Sequence, residues 1–507
     1  MSTTPRPSQS PPPSPDTEGK RLTGDLTKDL TALRTLAHNT ADLITRPITV
    51  SGIRMSFVMM EGMTDLNKIG QALIRPLTSR SFASPEAVFD WIEQTTIVGD
   101  VQDHYEYEQI LSLVMIGFLA VLVDGVPKAV VMGVQGFAYR SISAPDSEVN
   151  ERGSRESFTE PLKINLSMIR RRMRSGSVKF ENIELGSESH TLAALIYNPD
   201  AVSPALLIEV RSRLRRIRLK VVLDSGYLQP FLEGRHRSLF SEVGISERPD
   251  TVCGKVLEGR IAILVDGSPY ALIVPYLFIE NFQSFDDYAR RPYFAAFIRL
   301  LKYISFAISL FLPGLYVAIS TFQPAGLPRA LLSNIAWAEE TTPFPLMFEA
   351  LIIHFLYEIM REAGLRLPRP VGHAVSIVGA LVIGDAAVTA GIIGAPMVMV
   401  VALTAISSFV VPSLYEPAAL LRFFFIILGG LTGLYGLALA GAALLVNLCQ
   451  INSLGVPYTA PVSPFTPGAM RDALIRSSWK KLSGFSARIQ DLTGSDLEES
   501  GGSHEGK

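Results

Sequence analysis

The chain has 507 residues, 48% hydrophobic and 19% charged, with a formal net charge of −2 and two cysteines. A charge this close to zero lacks the basic excess of a phosphate-binding surface, so no nucleic-acid partner is expected. Cys253 and Cys449 are too far apart for a Cys-x-x-Cys motif, which argues against a disulfide framework and a structural zinc site.

Residues 1–23 are rich in Pro and Ser and read as a disordered tail. The first 20 residues lack the apolar core of a signal peptide, which predicts a cytoplasmic N-terminal region. A first α/β subdomain is expected over 24–145. It has an amphipathic helix near Leu26–Leu43, a β-rich run at Ile53–Met60, a helix near Asp65–Leu77 and another near Pro85–Thr95. The stretch Gly117–Val134 reads as two apolar strands joined at Asp124-Gly125, a dipeptide suited to tight turns.

That hairpin recurs at Gly259–Tyr276, where Leu264-Val265-Asp266-Gly267 matches Leu122-Val123-Asp124-Gly125 and Pro269 matches Pro127. A second β-rich run, Thr191–Tyr197, precedes a helix near Pro204–Lys220. These repeats predict a duplication, with a second α/β subdomain over 146–290. The two basic helices between the hairpins, with Arg170–Arg172 on one and Arg211–Lys220 on the other, fit either contact with anionic headgroups or solvated helices paired to nearby glutamates.

From Phe294 to Ile451 the chain is long, apolar and poor in charge, which suits a bilayer rather than a soluble core. The best windows are Tyr303–Ser320, Ala374–Ile393, Ala395–Val411 and Phe423–Leu448. Leu346–Met360 is apolar but carries Glu349, His354 and Glu358, so a transmembrane domain of four or five helices is expected over 291–455. Arg290, Arg291, Arg299 and Lys302 before the first span read as a cytoplasmic flank. Pro313-Gly314 reads as a kink or break, and Phe322–Pro345 as a polar outer loop. Asp385, with Thr389 one turn on, is an intramembrane acid that either faces an aqueous cation path or is buried as a hydrogen-bonded carboxyl. Gly429, Gly430, Gly433 and Gly436 mark a face for close helix packing. Residues 456–507 are expected to form a cytoplasmic tail that is disordered at its end.

Several motifs occur in a telling order: Arg152 through Glu160 (RGSRESFTE), Asn165 with the run from Arg170, Glu247-Arg248-Pro249-Asp250, and Gly259-Arg260 leading to Asp266-Gly267-Ser268-Pro269. Read physically they are scaffold: turn chemistry around Pro249, Gly267 and Pro269, with charges placed for pairing. Together they resemble the A subunits of bacterial spore germinant receptors, the GerA family, over roughly residues 130–465. The resemblance implies a multi-pass protein of the spore inner membrane, working with a transporter-like B subunit and a lipoprotein C subunit. It further implies a homo-oligomer around a cation pore that couples nutrient sensing to ion release. No enzymatic activity, cofactor or metal is expected. A secondary transporter and a non-conducting scaffold are the competing readings.

Overall fold

The computed structural model describes residues 21–95, 100–136, 145, 148, 153–234, 238–326, 328–367, 384–473, 476–478, 480 and 488–497. Arg152 and most of the Ala374–Ile393 window lie outside the described residues.

The first α/β domain opens with α1 (Leu26–Leu36), capped by the Asp25 carboxylate on the Thr27 and Lys28 N–H groups. The helix stops short of Leu43 because His38 and Asn39 take left-handed φ of 52° and 51° and turn the chain. There follow β1 (Leu43–Val50), β2 (Ile53–Met60), a helical stretch over 66–78, α2 (Pro85–Thr95), β3 (Val101–His104), α3 (Tyr107–Val114), β4 (Leu119–Val123) and β5 (Ala129–Met132). The strands form one antiparallel sheet in the order β1-β2-β4-β5-β3. Every residue of β4 and β5 is buried, because helices cover both faces. Leu33, Ile110 and Val114 of α1 and α3 pack on Val58, Ala120 and Leu122, while Phe89 and Ile92 of α2 pack on Phe57, Val121 and Val130.

The second domain repeats this plan with α4 (Leu162–Arg172), β6 (Lys179–Leu185), β7 (Thr191–Tyr197), α5 (Pro204–Arg215), β8 (Gly244–Ser246), α6 (Pro249–Leu257), β9 (Ile261–Val265) and β10 (Ala271–Val274). Its sheet order, β6-β7-β9-β10-β8, is that of the first. The correspondence reaches single hydrogen bonds. Asp124 Oδ1 accepts the Leu26 N–H at 3.2 Å, and Asp266 Oδ1 accepts the Leu162 N–H at 2.9 Å. Gly125 N–H donates to Gly24 O at 2.8 Å, and Gly267 N–H to Glu160 O at 2.9 Å. The repeating unit therefore includes a helix ahead of its first strand, tied by its N-terminus to the hairpin turn.

The helical region contains α7 (Pro292–Phe322), α8 (Arg329–Glu340), α9 (Leu346–Arg366), α10 (Ala395–Phe409) and α11 (Tyr415–Gln450). Among the described residues, α7 and the run Pro412–Gln450 are long and apolar enough to cross a membrane, while α10 is apolar but shorter. The segment between α7 and α9 is not a plain loop: α8 runs through it and leaves Trp337 exposed. Nor does Pro313-Gly314 break α7, which continues to Phe322. Gly314 instead lets α11 approach, since a Cβ added at Gly429 would lie 2.4 Å from the Gly314 carbonyl oxygen.

The break falls in α11. Gly433 has φ 65° and ψ −154°, a conformation open to glycine, and the chain reverses there. Leu437 Cδ1 thus comes within 3.1 Å of a Cβ built on Gly429, which eight residues of straight helix, about 12 Å of rise, would forbid. An apolar groove of about 550 Å³ separates the arms, lined by Leu421, Phe425 and Leu428 on one and Ala440, Leu444 and Asn447 on the other. The arms, 415–432 and 434–450, are each about 26 Å long at 1.5 Å per residue.

After α11 the chain returns to the second domain. Leu454, Val456, Ala460, Ala473, Ile489, Leu492 and Leu497 join the core built on Leu195, Leu206, Ile263 and Leu272. Ile489 N–H donates to Glu258 O, and Ser203 Oγ to Leu497 O, both at 3.0 Å.

Candidate functional site

The polar residues singled out in the helical region fall into three places. Glu349, 1% exposed near the start of α9, accepts the N–H of Gly394 at 2.5 Å, immediately before α10. A carboxylate there satisfies an orphan donor and complements the positive end of α10. Asp385 and Thr389 are exposed on the short helical stretch 384–389. His354 and Glu358 lie one turn apart on α9, and Glu358 faces α11.

His354 is fully buried with Nδ1 2.9 Å from Ala350 O, so that nitrogen carries the proton, and Nε2 has no partner. Glu358 takes a hydrogen bond from the Tyr415 hydroxyl and lies 3.4 Å from Nη1 of Arg422. The Arg361 guanidinium stacks on the Tyr415 ring at 3.3 Å from its centroid. Arg422 is fully buried, and its Nε donates to the Ser309 carbonyl of α7 at 2.9 Å. A window starting at Phe423 leaves Arg422 just outside. Its signal is that it is the sole Lys or Arg between Tyr415 and Gln450. An arginine inside such a run implies a buried partner.

A second ionic centre joins the α/β region to the helices. Arg299, two turns into α7, is fully buried. It reaches Asp287 Oδ2 at 2.7 Å through Nε, and Asp472 O at 2.6 Å and Oδ1 at 3.0 Å through Nη1. Lys302 donates to Phe282 O at 3.2 Å, and Tyr303 stacks on Phe282 with centroids 4.1 Å apart. Arg299 and Lys302 are therefore internal cross-links, although they read in the sequence as a flanking charge pair. Just before them, Arg260 and Lys255 both reach Glu280, whose other oxygen accepts the Leu277 N–H at 2.9 Å. Burial by itself raises the Glu280 carboxyl, but Arg260 and Lys255 outweigh it and hold the group below 4.5.

The remaining motif residues are buried braces or turns. Arg170, 1% exposed, forms a two-pronged pair with Asp42 of the first domain, with Nε and Nη2 each donating at 3.0 Å. Asn165 Oδ1 accepts the Thr159 N–H at 2.8 Å. Arg248 pairs with Asp250 at 2.6 Å and donates to Ser154 O at 2.9 Å, with Pro249 at the first position of α6. The Glu247 carbonyl accepts the Phe158 N–H at 2.8 Å. Gly259 has φ 86°, and a Cβ there would lie 2.6 Å from Ala201 O. Pro269 follows the Asp266-Gly267 turn. Among the described residues, no group of three or more His, Cys, Asp or Glu side chains is placed to hold a metal ion. The arrangement is that of a mechanical linkage: buried arginines connect first domain to second, second domain to α7, and α7 to α9 and α11.

Comparison with known proteins agrees with the ordered motifs. Residues 31–485 match the family described as Bacillus/Clostridium GerA spore germination protein. The chain is 40% identical to spore germination protein KA of Bacillus subtilis (strain 168) over 464 residues, covering 90% of this chain and 85% of that one. It is 33% identical to spore germination protein GerLA of Bacillus cereus, covering 87% of this chain and 91% of the relative. Identity to the uncharacterized membrane protein YfkQ of Bacillus subtilis (strain 168) is also 33%, covering 92% and 91%. A crystal structure of the N-terminal domain of the A subunit of the Bacillus megaterium spore germinant receptor GerK3 is 27% identical. It covers 51% of this chain and 97% of that one, with a TM-score of 0.40. On the family match and these relatives, the chain belongs to the GerA family of spore germination proteins.

Proposed function

We propose that this chain is the A subunit of a nutrient germinant receptor in the spore inner membrane, acting with a transporter-like B subunit and a lipoprotein C subunit. In this reading it couples germinant sensing to ion release as an oligomeric cation pore. The observation that carries it is that one α/β domain grips both ends of the helical region: Arg299 and Lys302 at the start of α7, and Leu454, Val456, Ala460, Ala473, Ile489, Leu492 and Leu497 after α11. A shift of that domain is thereby transmitted to the first and last helices together. Both ends also leave from one side, which supports an even number of membrane crossings. Arg290 and Arg291 at the start of α7 favour the cytoplasmic side for that domain.

The test uses spores in which this chain, with its cognate B and C subunits, is the only receptor. Nutrient addition is expected to trigger monovalent-cation release that disappears when this chain is omitted; release independent of the chain refutes the reading. Within the same strain, Asp385→Asn is expected to change release kinetics without preventing accumulation of the chain. Unchanged kinetics remove Asp385 from the ion path. One observation favours a non-conducting scaffold instead: Arg422 and Glu358 neutralise each other rather than lining an open path. Purified complex in liposomes separates the readings, since ungated ion flux supports a pore, coupled nutrient uptake a transporter, and neither a scaffold.

A further inference from the structure

Proline has no N–H, so Pro313 leaves the Ser309 carbonyl without its partner in the α7 hydrogen-bond ladder. In an apolar interior such a carbonyl must be satisfied by something else. Arg422 does so from the outgoing arm of α11, with Nε donating at 2.9 Å. The same guanidinium reaches Glu358 of α9 through Nη1, and Glu358 is held in turn by the Tyr415 hydroxyl. Three helices thus meet on one side chain, at the turn where α7 lacks a ladder bond and bends most easily. Nη2 is buried without a partner, so the guanidinium is not fully satisfied in this packing.

We propose that Arg422 is a latch on the Pro313 hinge of α7. Bound to Ser309 O and Glu358, it holds α7, α9 and the outgoing arm of α11 in the resting arrangement; its withdrawal frees α7 to bend. The role assigned to that bending rests on the germinant-receptor reading above, whereas the latch itself is a statement about coupling between Arg422 and Pro313.

Two measurements keep these apart. The first is a thermal double-mutant cycle on the purified full-length chain in detergent, with R422L, P313A and the double variant. Alanine at 313 restores the N–H that Ser309 O lacks. The loss of melting temperature caused by R422L is therefore expected to be clearly smaller in the P313A background, and strictly additive losses overturn the latch. The second measures cation release from spores carrying the chain as sole A subunit, with its accumulation checked by immunoblot. R422L, or R422K and E358Q if R422L does not accumulate, is expected to raise nutrient-independent release by roughly tenfold or more as the resting packing loses its advantage. Accumulated variants with unchanged nutrient-free and nutrient-triggered release overturn the gating role. Parent spores that show no chain-dependent release overturn the receptor reading instead, and the thermal cycle then decides the latch alone.

Discussion

Replacing Arg170 by Met isolates the bond between the two α/β domains. Arg170 lies in the second domain, yet two of its donors hold the Asp42 carboxylate of the first, and Nη1 donates to the Ser175 and Val178 carbonyls at 3.1 and 3.0 Å. Its guanidinium also covers the Phe180 ring at 4.2 Å from the centroid. Methionine fills much of the same volume but leaves Asp42 buried, with the Thr40 hydroxyl as its remaining side-chain partner among the described residues, and two carbonyls without their donor. Breaking a buried pair from one side costs about 3–5 kcal/mol, because the remaining charge stays desolvated. At about 2–4 °C per kcal/mol for a unit of this size, the melting temperature should fall by about 10 °C. The assay is thermal unfolding of the full-length chain in mild detergent, with exposed Arg215→Met as a control expected to stay within about 0.5 kcal/mol of the parent. The pair D42L/R170M, which removes both charges, should regain much of the loss. A melting temperature for R170M within about 2 °C of the parent, or a double variant no better than the single, refutes this account of the junction.

Glu280 predicts a pH dependence. Its carboxyl is held below 4.5 in the folded chain and returns to its ordinary value on unfolding, so the unfolded chain binds the proton more readily. The stability it contributes is complete above that ordinary value and is lost as pH falls below about 4.5 through the lower folded value; Glu280→Gln should flatten the melting curve's pH slope in that window, and an unaltered slope counts against the pairing with Arg260 and Lys255. Gly429→Val should separate α7 from the outgoing arm of α11, lowering stability by about 1–3 kcal/mol or more. Gly441→Ala, whose added Cβ would meet Phe311 at an ordinary 3.7 Å, should be tolerated. Equal melting temperatures for these two glycine variants rule out the close crossing at Gly314.

The hairpins were the most legible part of the fold, because β4 and β9 are short apolar runs ended by Asp-Gly and no other local structure competes. The repeated sheet order was less so. β3 and β8 are four and three residues long, too short to carry a period, and their place at the sheet edge depends on pairing with β5 and β10. In the helical region Glu349, His354 and Glu358 stood out as polar residues in an apolar run, and one of them, Glu358, does meet partners on α11. Hydropathy could not show the reversal at Gly433, since glycine is tolerated inside membrane helices and only its φ reveals the turn. Residues 454–497 were opaque for another reason. Val456, Ile489 and Leu497 are isolated apolar residues among polar ones, and their second-domain core neighbours all precede the whole helical region in sequence.

That last contact bears on the order of assembly. A ribosome releases Leu195, Leu206 and Ile263 long before it makes Val456, Ile489 and Leu497, and every helix from α7 to α11 is synthesised in between. That part of the second domain's apolar core therefore stays uncovered until the helical region has been synthesised; if that region crosses the membrane as proposed above, the chain must also come back to the compartment it left. On the same reading, a chain whose helices insert with the wrong parity would deliver Val456, Ile489 and Leu497 to the opposite side of the bilayer, where they could not reach that surface. On that reading, completion of this core would report correct membrane insertion, and misinserted molecules would keep an exposed apolar face of the kind that chaperones and proteases recognise.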